Sequence, residues 1–183
     1  MPSPFILHSS TFILQLSTFT LIHLTLSPKP CTLCFEIVPL RQIFTTTMVY
    51  LTRVEHFNAA HKLYNPNWSK EQNELVFGKC ANENWHGHNY ELYVTVKGRP
   101  NPDTGFVCDV KALSKIINQY VIEQLDHKNL NVDVPFMKDQ LCSTENLAIA
   151  IWQQLQPQIP AGVQLHGIKL YETPRIFVEY FGE

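Results

Sequence analysis

In the segment Asn89–Lys97, apolar side chains alternate with mostly polar ones, and this pattern restricts the possible folds more than any other part of the chain. Successive side chains of a β-strand point to opposite faces, so its apolar members share one face: Tyr90, Leu92, Val94 and Val96. The intervening residues, which are mostly polar, face the other way. The segment is therefore predicted to be a half-buried strand, and the glycine and prolines of residues 98–102 end it.

Other segments complete an order of strands and helices. The predicted elements are a strand at Val49–Phe57, helices at Val110–Leu125 and about Ser143–Gln154, and strands at about Gln164–Glu172 and Arg175–Phe181. Asp109 and Ser143 are placed to cap the two helices. Tyr64–Lys79 contains Asn, Pro and Gly and is expected to be a long loop. The resulting ββααββ order predicts an α+β domain, in which an antiparallel sheet carries two helices on one face.

Residues 1–47 differ in composition from the rest of the chain, and no charged residue occurs between Pro2 and Pro28. The length of Phe5–Leu26 allows a membrane span, but Ser, Thr and His interrupt it, and neither a secretory signal nor an Arg-rich transit peptide matches well. A strand pattern begins directly after Met48. Met48 is therefore a candidate initiator that follows a translated upstream stretch, and the alternative is a removed targeting segment or membrane anchor. Residues 1–47 are interpreted as a non-domain extension and residues 48–183 as one domain.

Charge and cysteine content narrow the classes of partner and the compartment. The formal net charge is −2, which provides no strong basic field for nucleic acid or anionic membranes, although a small anionic substrate needs only local charges. The cysteine count is 5, an odd number without regular spacing, which does not indicate a disulfide framework. We therefore expect a reducing compartment, the cytoplasm. Cys31 and Cys34 form one C-x-x-C, which is a weak redox or metal signal by itself.

Three histidines form the strongest chemical pattern. His86 and His88 are two residues apart, so on a strand they present two imidazoles to the same side, and His61 at the end of the preceding strand can supply a third. Three imidazoles without a fourth protein ligand are typical of a catalytic zinc site, which keeps one position open. H-x-H by itself is common, and an ordinary surface or core position is the alternative.

Two further groups could move protons. Cys80 lies six residues before His86, and a nearby dication would ionise its thiol and make it a base or nucleophile; a buried structural cysteine is the alternative. Asp126 directly precedes His127, and a carboxylate that bonds an imidazole fixes its tautomer and improves it as a proton carrier. The alternative for His127 is a helix C-terminal histidine favoured by the helix dipole. Cys108 and Cys142 are predicted to be packing residues.

Glu172 ends an apolar strand on the same parity as Ile168 and Leu170, so its carboxylate is expected to point inward. Inward carboxylates are costly unless they are paired. One suitable partner is the guanidine-like edge of a pterin ring, which offers two N–H donors. A salt bridge to Arg175 is the ordinary alternative.

Together these residues resemble the 6-pyruvoyltetrahydropterin synthase family, which also contains the 6-carboxytetrahydropterin synthases of the queuosine pathway. The resemblance extends over Met48–Glu183. It rests on the following stretches: Phe57-Asn58-Ala59-Ala60-His61, the C-x5-H-G-H of Cys80–His88 with Asn89-Tyr90, Leu125-Asp126-His127-Lys128-Asn129-Leu130, Ser143-Thr144-Glu145-Asn146 and Tyr171-Glu172-Thr173. Each stretch is weak by itself, but their order and spacing are specific.

The resemblance implies a tunnelling fold, whose subunits form barrel trimers that stack as hexamers with active sites between subunits. It implies that His61, His86 and His88 bind zinc and that Glu172 anchors the pterin. Three further roles are implied: Cys80 as general base, Asp126 and His127 as its proton-relay partners, and Thr144 and Glu145 as a border of the pterin pocket. The substrate would be 7,8-dihydroneopterin triphosphate, and no redox cofactor would be required.

The product is the main point on which the resemblance leaves alternatives. The C-x5-H-G-H spacing resembles the pyruvoyl-forming enzymes, and 6-carboxytetrahydropterin synthase on the same substrate is the alternative. Trp85 stands where the family pattern leads us to expect a small residue, usually glycine. A zinc hydrolase would require a glutamate base, as in H-E-x-x-H, which the sequence lacks. A non-catalytic pterin- or metal-binding protein would not require Cys80 or the Asp126-His127 pair.

Overall fold

The computed structural model describes residues 12–16, 20–24, 35–39 and 47–183. The chain divides into two compact units, one formed by Met1–Thr47 with Arg99–Gly105 and the other by Met48–Gly98 with Phe106–Glu183. In the first unit, three strands form an antiparallel sheet in chain order: β1 (Phe12–Leu16), β2 (Thr20–Leu24) and β3 (Phe35–Pro39).

Two features predicted in residues 1–47 lie largely outside the described residues. Cys31 and Cys34 lie outside the described residues, and the candidate membrane segment is described only where it forms β1 and β2. Across the described ranges, no helix is long and apolar enough to cross a membrane.

The second unit contains a five-stranded sheet with the order β6-β4-β5-β7-β8. Its strands are β4 (Val49–His61), β5 (His86–Gly98), β6 (Lys128–Asn129), β7 (Val163–Thr173) and β8 (Ile176–Tyr180). The pairs β4–β5, β5–β7 and β7–β8 are antiparallel, as predicted, whereas β6 runs parallel to β4. The sheet is therefore mixed, because a two-residue strand is too short to show any periodicity in the sequence.

Three helices accompany this sheet: α1 (Lys70–Phe77), α2 (Val110–Ile117, continued by a π-helical segment Asn118–Ile122 and a last turn Glu123–Leu125) and α3 (Thr144–Leu155). The predicted caps are confirmed, since the Asp109 carboxylate accepts from the backbone N–H of Lys111 and the Ser143 hydroxyl accepts from that of Asn146. The α+β class is confirmed as well.

Helix α1 corrects the expectation of one long loop over Tyr64–Lys79. Ser69 caps its start by accepting from the backbone N–H of Gln72, and Gly78 ends it at a φ of 54°. Asn73 is its one buried residue, so the helix has no apolar stripe that a periodicity analysis could detect. Local capping therefore defines this helix, and burial contributes little.

The core lies between the sheet and the helices α2 and α3. The apolar row predicted on β5 is fully buried, and it packs with three members of each helix: Leu113, Ile117 and Val121 of α2, and Leu147, Ile151 and Leu155 of α3. Burial of each such side chain contributes about 1.5–3 kcal/mol. A one-residue slip of β5 would expose the whole row, so this core fixes the register that positions the residues at the end of the strand.

Candidate metal centre and active site

The three histidines stand where the buried faces of β4 and β5 reach the end of the core. His61 is the Cα partner of His86, and Ala59 is the partner of His88. Because these positions share the parity of the buried residues Phe57 and Tyr90, the imidazoles project to the core side of the sheet. Strand parity and register together place all three rings on one site.

The imidazoles are close enough to share one ion. One nitrogen from each ring can be chosen so that all three lie within 4.8 Å of one another. His61 is 2% exposed, and its Nδ1 lies 2.7 Å from the carbonyl oxygen of Cys142. This contact makes Nδ1 the donor and leaves the Nε2 lone pair free. That buried Nε2 has no hydrogen-bond partner within the described part of the chain, which is the condition expected of a metal ligand.

The electrostatics of the site keep the rings neutral. Burial lowers the pKa of His61, and the neighbouring His88 lowers it further. Burial lowers the pKa of His86 as well, with His61 adding to the effect. Burial also lowers the pKa of His88, although Glu172 opposes this shift. Neutral imidazole is the form that binds a metal, so these three residues can hold an ion of the zinc type.

Gly87, between the two histidines, lies close to the backbone of the neighbouring strand. A Cβ at this position would lie 3.0 Å from the backbone oxygen of Ala59 on the neighbouring strand. That contact involves rigid backbone, so a larger residue would push β4 and β5 apart at the site. The glycine of the H-G-H motif therefore keeps the ligands on the two strands close together.

Glu172 lies beside the histidines, at the end of the buried row of β7. Its Oε1 is 3.4 Å from Nε2 of His61 and 3.6 Å from Nε2 of His88, and its side chain is 16% exposed. Within residues 47–183, no ion pair joins Glu172 to Arg175, which was the ordinary alternative. The carboxylate therefore faces the site.

Asp126 and His127 form a hydrogen-bonded pair at the other side of β4. Asp126 Oδ2 is 2.9 Å from Nδ1 of His127, and its Oδ1 accepts from the backbone N–H of Asn58 at 2.8 Å. That backbone N–H holds the pKa of Asp126 below its usual value, against the opposing effect of burial. His127 is 78% exposed and has a φ of 58°, and a cavity of about 510 Å³ has both His88 and His127 in its lining.

Cys80 lies in the 3-10 turn Gly78–Ala81, and its carbonyl accepts from the backbone N–H of Leu63, two residues after His61. Its thiol has no hydrogen-bond partner among residues 47–183, so within a single subunit no hydrogen bond links the thiol to the Asp126–His127 pair. The other two described cysteines belong to the core, as predicted: Cys108 packs against it, and burial raises the pKa of Cys142 to about 11.

The start of α3 is tied to the histidine site. Cys142, whose carbonyl bonds His61, directly precedes the cap of this helix, and Thr144 is buried at its first position. Glu145 follows it and is exposed. Thr144 therefore lies two residues after the carbonyl that bonds His61.

Three contributions were not identified from the sequence. The Cys142 carbonyl orients His61, and the Asn58 backbone orients Asp126; no residue type signals a backbone contact of this kind. Tyr90 has a buried hydroxyl without a partner in the described residues, and its ring centroid lies 5.7 Å from that of His88. Burial raises the pKa of this tyrosine, so it remains protonated. Its parity with His88 was a signal that could have identified it.

Comparison with known proteins gives consistent matches to one family. The sequence model of the family described as 6-pyruvoyl tetrahydropterin synthase matches residues 50–183. The chain is 47% identical over 127 residues to the 6-pyruvoyl tetrahydrobiopterin synthase of Pongo abelii, which covers 69% of this chain and 87% of that protein. It is 44% identical over 135 residues to the protein of the same name from Dictyostelium discoideum, which covers 74% and 97%. The solved structure of Caenorhabditis elegans 6-pyruvoyl tetrahydropterin synthase matches with a TM-score of 0.71 and 36% identity, covering 76% of this chain and 99% of that one.

Proposed function

Because the chain belongs to the 6-pyruvoyl tetrahydropterin synthase family, we propose that it is a zinc-dependent lyase. It converts 7,8-dihydroneopterin triphosphate to 6-pyruvoyltetrahydropterin and releases triphosphate. The observation that carries this proposal is the convergence of three imidazoles, with one nitrogen of each within 4.8 Å of the others and a mostly buried carboxylate beside them. His61, His86 and His88 hold the zinc. A zinc ion there supplies a Lewis acid that stabilises negative charge on the side-chain oxygens of the substrate.

Glu172 anchors the pterin in this proposal. Its carboxylate is largely removed from water, and a pterin edge with two N–H donors would satisfy both of its oxygens. Thr144 is buried at the start of α3 and, with Glu145, borders the ring. These contacts hold the pterin so that its side chain reaches the histidines.

Cys80, Asp126 and His127 carry the protons. The Cys80 thiolate removes protons from the side-chain carbons of the substrate. Asp126 stays ionised because Asn58 donates to it, and by accepting from Nδ1 of His127 it leaves the other ring nitrogen available for proton transfer. Tautomerisation moves the hydrogens of the side-chain carbinol next to the ring onto the ring, which is reduced as that carbon becomes a ketone. Elimination of triphosphate turns the second carbinol into a ketone, so the redox change is internal to the substrate and no redox cofactor is needed.

Assembly completes the site in this proposal. The Asp126–His127 pair is exposed and Cys80 is not hydrogen-bonded to it within residues 47–183. We therefore propose a homo-oligomer, a hexamer with active sites between subunits, in which strand edges of neighbouring sheets pair. The described cysteines Cys80, Cys108 and Cys142 are all free thiols, which supports a cytoplasmic location.

The test is incubation of zinc-loaded protein with dihydroneopterin triphosphate, with the products identified by mass spectrometry. We expect triphosphate and the pyruvoyl product. The carboxy product would instead assign the 6-carboxytetrahydropterin synthase reaction, and recovery of unchanged substrate would refute both. The matched control is the Glu172→Gln variant, which should retain zinc and turn over little substrate at the same concentration.

A further inference from the structure

Trp85 adopts a backbone conformation that bulky residues avoid. Its φ is 67°, in the left-handed region that favours glycine. Glycine would occupy this position without strain, yet the chain has a tryptophan directly before the proposed ligand His86. A strained backbone persists only where the surrounding structure holds it, and such outliers concentrate at functional sites. The contacts of the indole ring are therefore informative.

The indole ring contacts a lysine that directly follows another proposed ligand. Lys62 Nζ lies 4.5 Å from the centroid of the Trp85 ring and 5.2 Å from that of Tyr64. Both distances suit cation–π attraction. Asn131 also fixes the Lys62 backbone, by accepting from its N–H at 3.0 Å and donating to its carbonyl at 3.1 Å. The ammonium group is thus held in place by aromatic rings, and no carboxylate lies within 4.0 Å of it among residues 47–183.

This lysine lines a cavity of about 650 Å³ that carries further donors. Its lining includes three lysines, two glutamates and three asparagines: Lys62, Lys70, Lys79, Glu74, Glu83, Asn73, Asn82 and Asn84. Lys70 Nζ is 3.9 Å from Oε1 of Glu74, and this ion pair neutralises part of the lysine charge. The hydrogen bond from Leu63 N–H to the Cys80 carbonyl joins the residues that follow Lys62 and Lys79, and both lysines line the same cavity.

We propose that this cavity is an anion subsite for the triphosphate of the substrate, and that Trp85 is a positioning residue that holds Lys62 toward it. The identity of the anion rests on the proposed function. The substrate carries its phosphate chain at the far end of the side chain whose hydroxyls lie at the histidines. The cavity borders that site, because Lys79 and Ala81, on either side of Cys80, line it together with Lys62. Ammonium groups and amide N–H groups are the donors that phosphate oxygens require.

The test measures binding of inorganic tripolyphosphate to the zinc-loaded full chain by calorimetry. Lys62→Met should weaken binding about tenfold, and Trp85→Gly about 2- to 10-fold. The double variant should bind no more weakly than Lys62→Met, because Trp85 acts through Lys62. Trp85→Phe retains a ring and should restore most of the affinity. Lys111→Met, which changes an exposed lysine on α2, should bind like the parent chain, and zinc content should be unchanged throughout.

Two binding results would overturn the subsite. One is parental tripolyphosphate affinity in Lys62→Met, and the other is an equal loss in Lys111→Met. Lys62→Met provides the test by itself if Trp85→Gly does not fold. Turnover separates the subsite from the proposed function: an inactive parent that binds tripolyphosphate through Lys62 refutes the reaction alone. An active parent whose KM is unchanged in Lys62→Met refutes the subsite alone.

Discussion

Replacement of Glu172 by glutamine separates binding of the substrate from stability of the fold. The variant has the same shape, but it exchanges a charged acceptor for an amide whose NH2 must face one ring N–H of a pterin. Loss of a charge-assisted hydrogen bond to a buried partner costs about 1.5–3 kcal/mol, which is about a ten- to a hundred-fold loss of affinity. The side chain is only 16% exposed, so water compensates for little of this loss.

The same substitution should leave the stability of the fold nearly unchanged. Glu172 faces His61 and His88, whose lowered pKa values keep them neutral near pH 7, so the free protein gains little from ion pairing there. The glutamine NH2 can donate to the buried Nε2 of His61, which has no partner within residues 47–183. We therefore expect a change in Tm of no more than about 2 °C.

The assay is calorimetric substrate affinity together with thermal melting and zinc analysis on the same purified variant. Glu179→Gln is the matched control, because Glu179 is an exposed glutamate of the same sheet, 3.4 Å from Lys169. It should change neither affinity nor zinc content. A lowered Tm with parental affinity in Glu172→Gln would refute the anchor and assign the residue to the fold. Loss of zinc would show instead that the carboxylate belongs to the metal shell.

Four further predictions test the remaining assignments. The protein should bind about one zinc per subunit, and alanine at any of the three histidines should abolish zinc binding and activity; retention in all three variants would refute the site. Cys80→Ala should lower turnover by about 10²-fold with zinc content unchanged, and Cys108→Ala should change little; equal losses would show no special role for Cys80. Deletion of Met1–Thr47 should leave fold, zinc content and activity unchanged, and an insoluble product would contradict that boundary. The metal-free protein should lose stability as the pH falls below about 6.5. The reason is that the unfolded chain then binds a proton at His61, whereas the folded chain, in which the pKa of His61 is lowered, does not. A Tm that is constant between pH 7 and 5 would contradict this.

The sequence determined those features that depend on neighbours along the chain. The alternation at Asn89–Lys97 identified the buried face of β5, and Asp109 and Ser143 marked where α2 and α3 begin. The spacing of His86 and His88 placed two imidazoles on one side of a strand. These predictions succeed because strand parity and helix capping are local, and a few adjacent residues contain the necessary information.

Tertiary structure decided what depends on distant backbone. Helix α1 lacks an apolar stripe, and β6 has two residues, so neither produced a periodic signal. The inward parity of Glu172 was predicted, but its proximity to the histidines rather than to Arg175 requires the register of β7 on β5.

The site itself combines both kinds of information. The residue types that could bind a metal follow from the sequence, because imidazole chemistry belongs to the side chain. That His61 lies opposite His86, and that the carbonyl of Cys142 fixes its tautomer, follows only from the packed sheet. The physical reason is that burial of the β5 apolar row selects one register out of many, and that selection depends on the whole core.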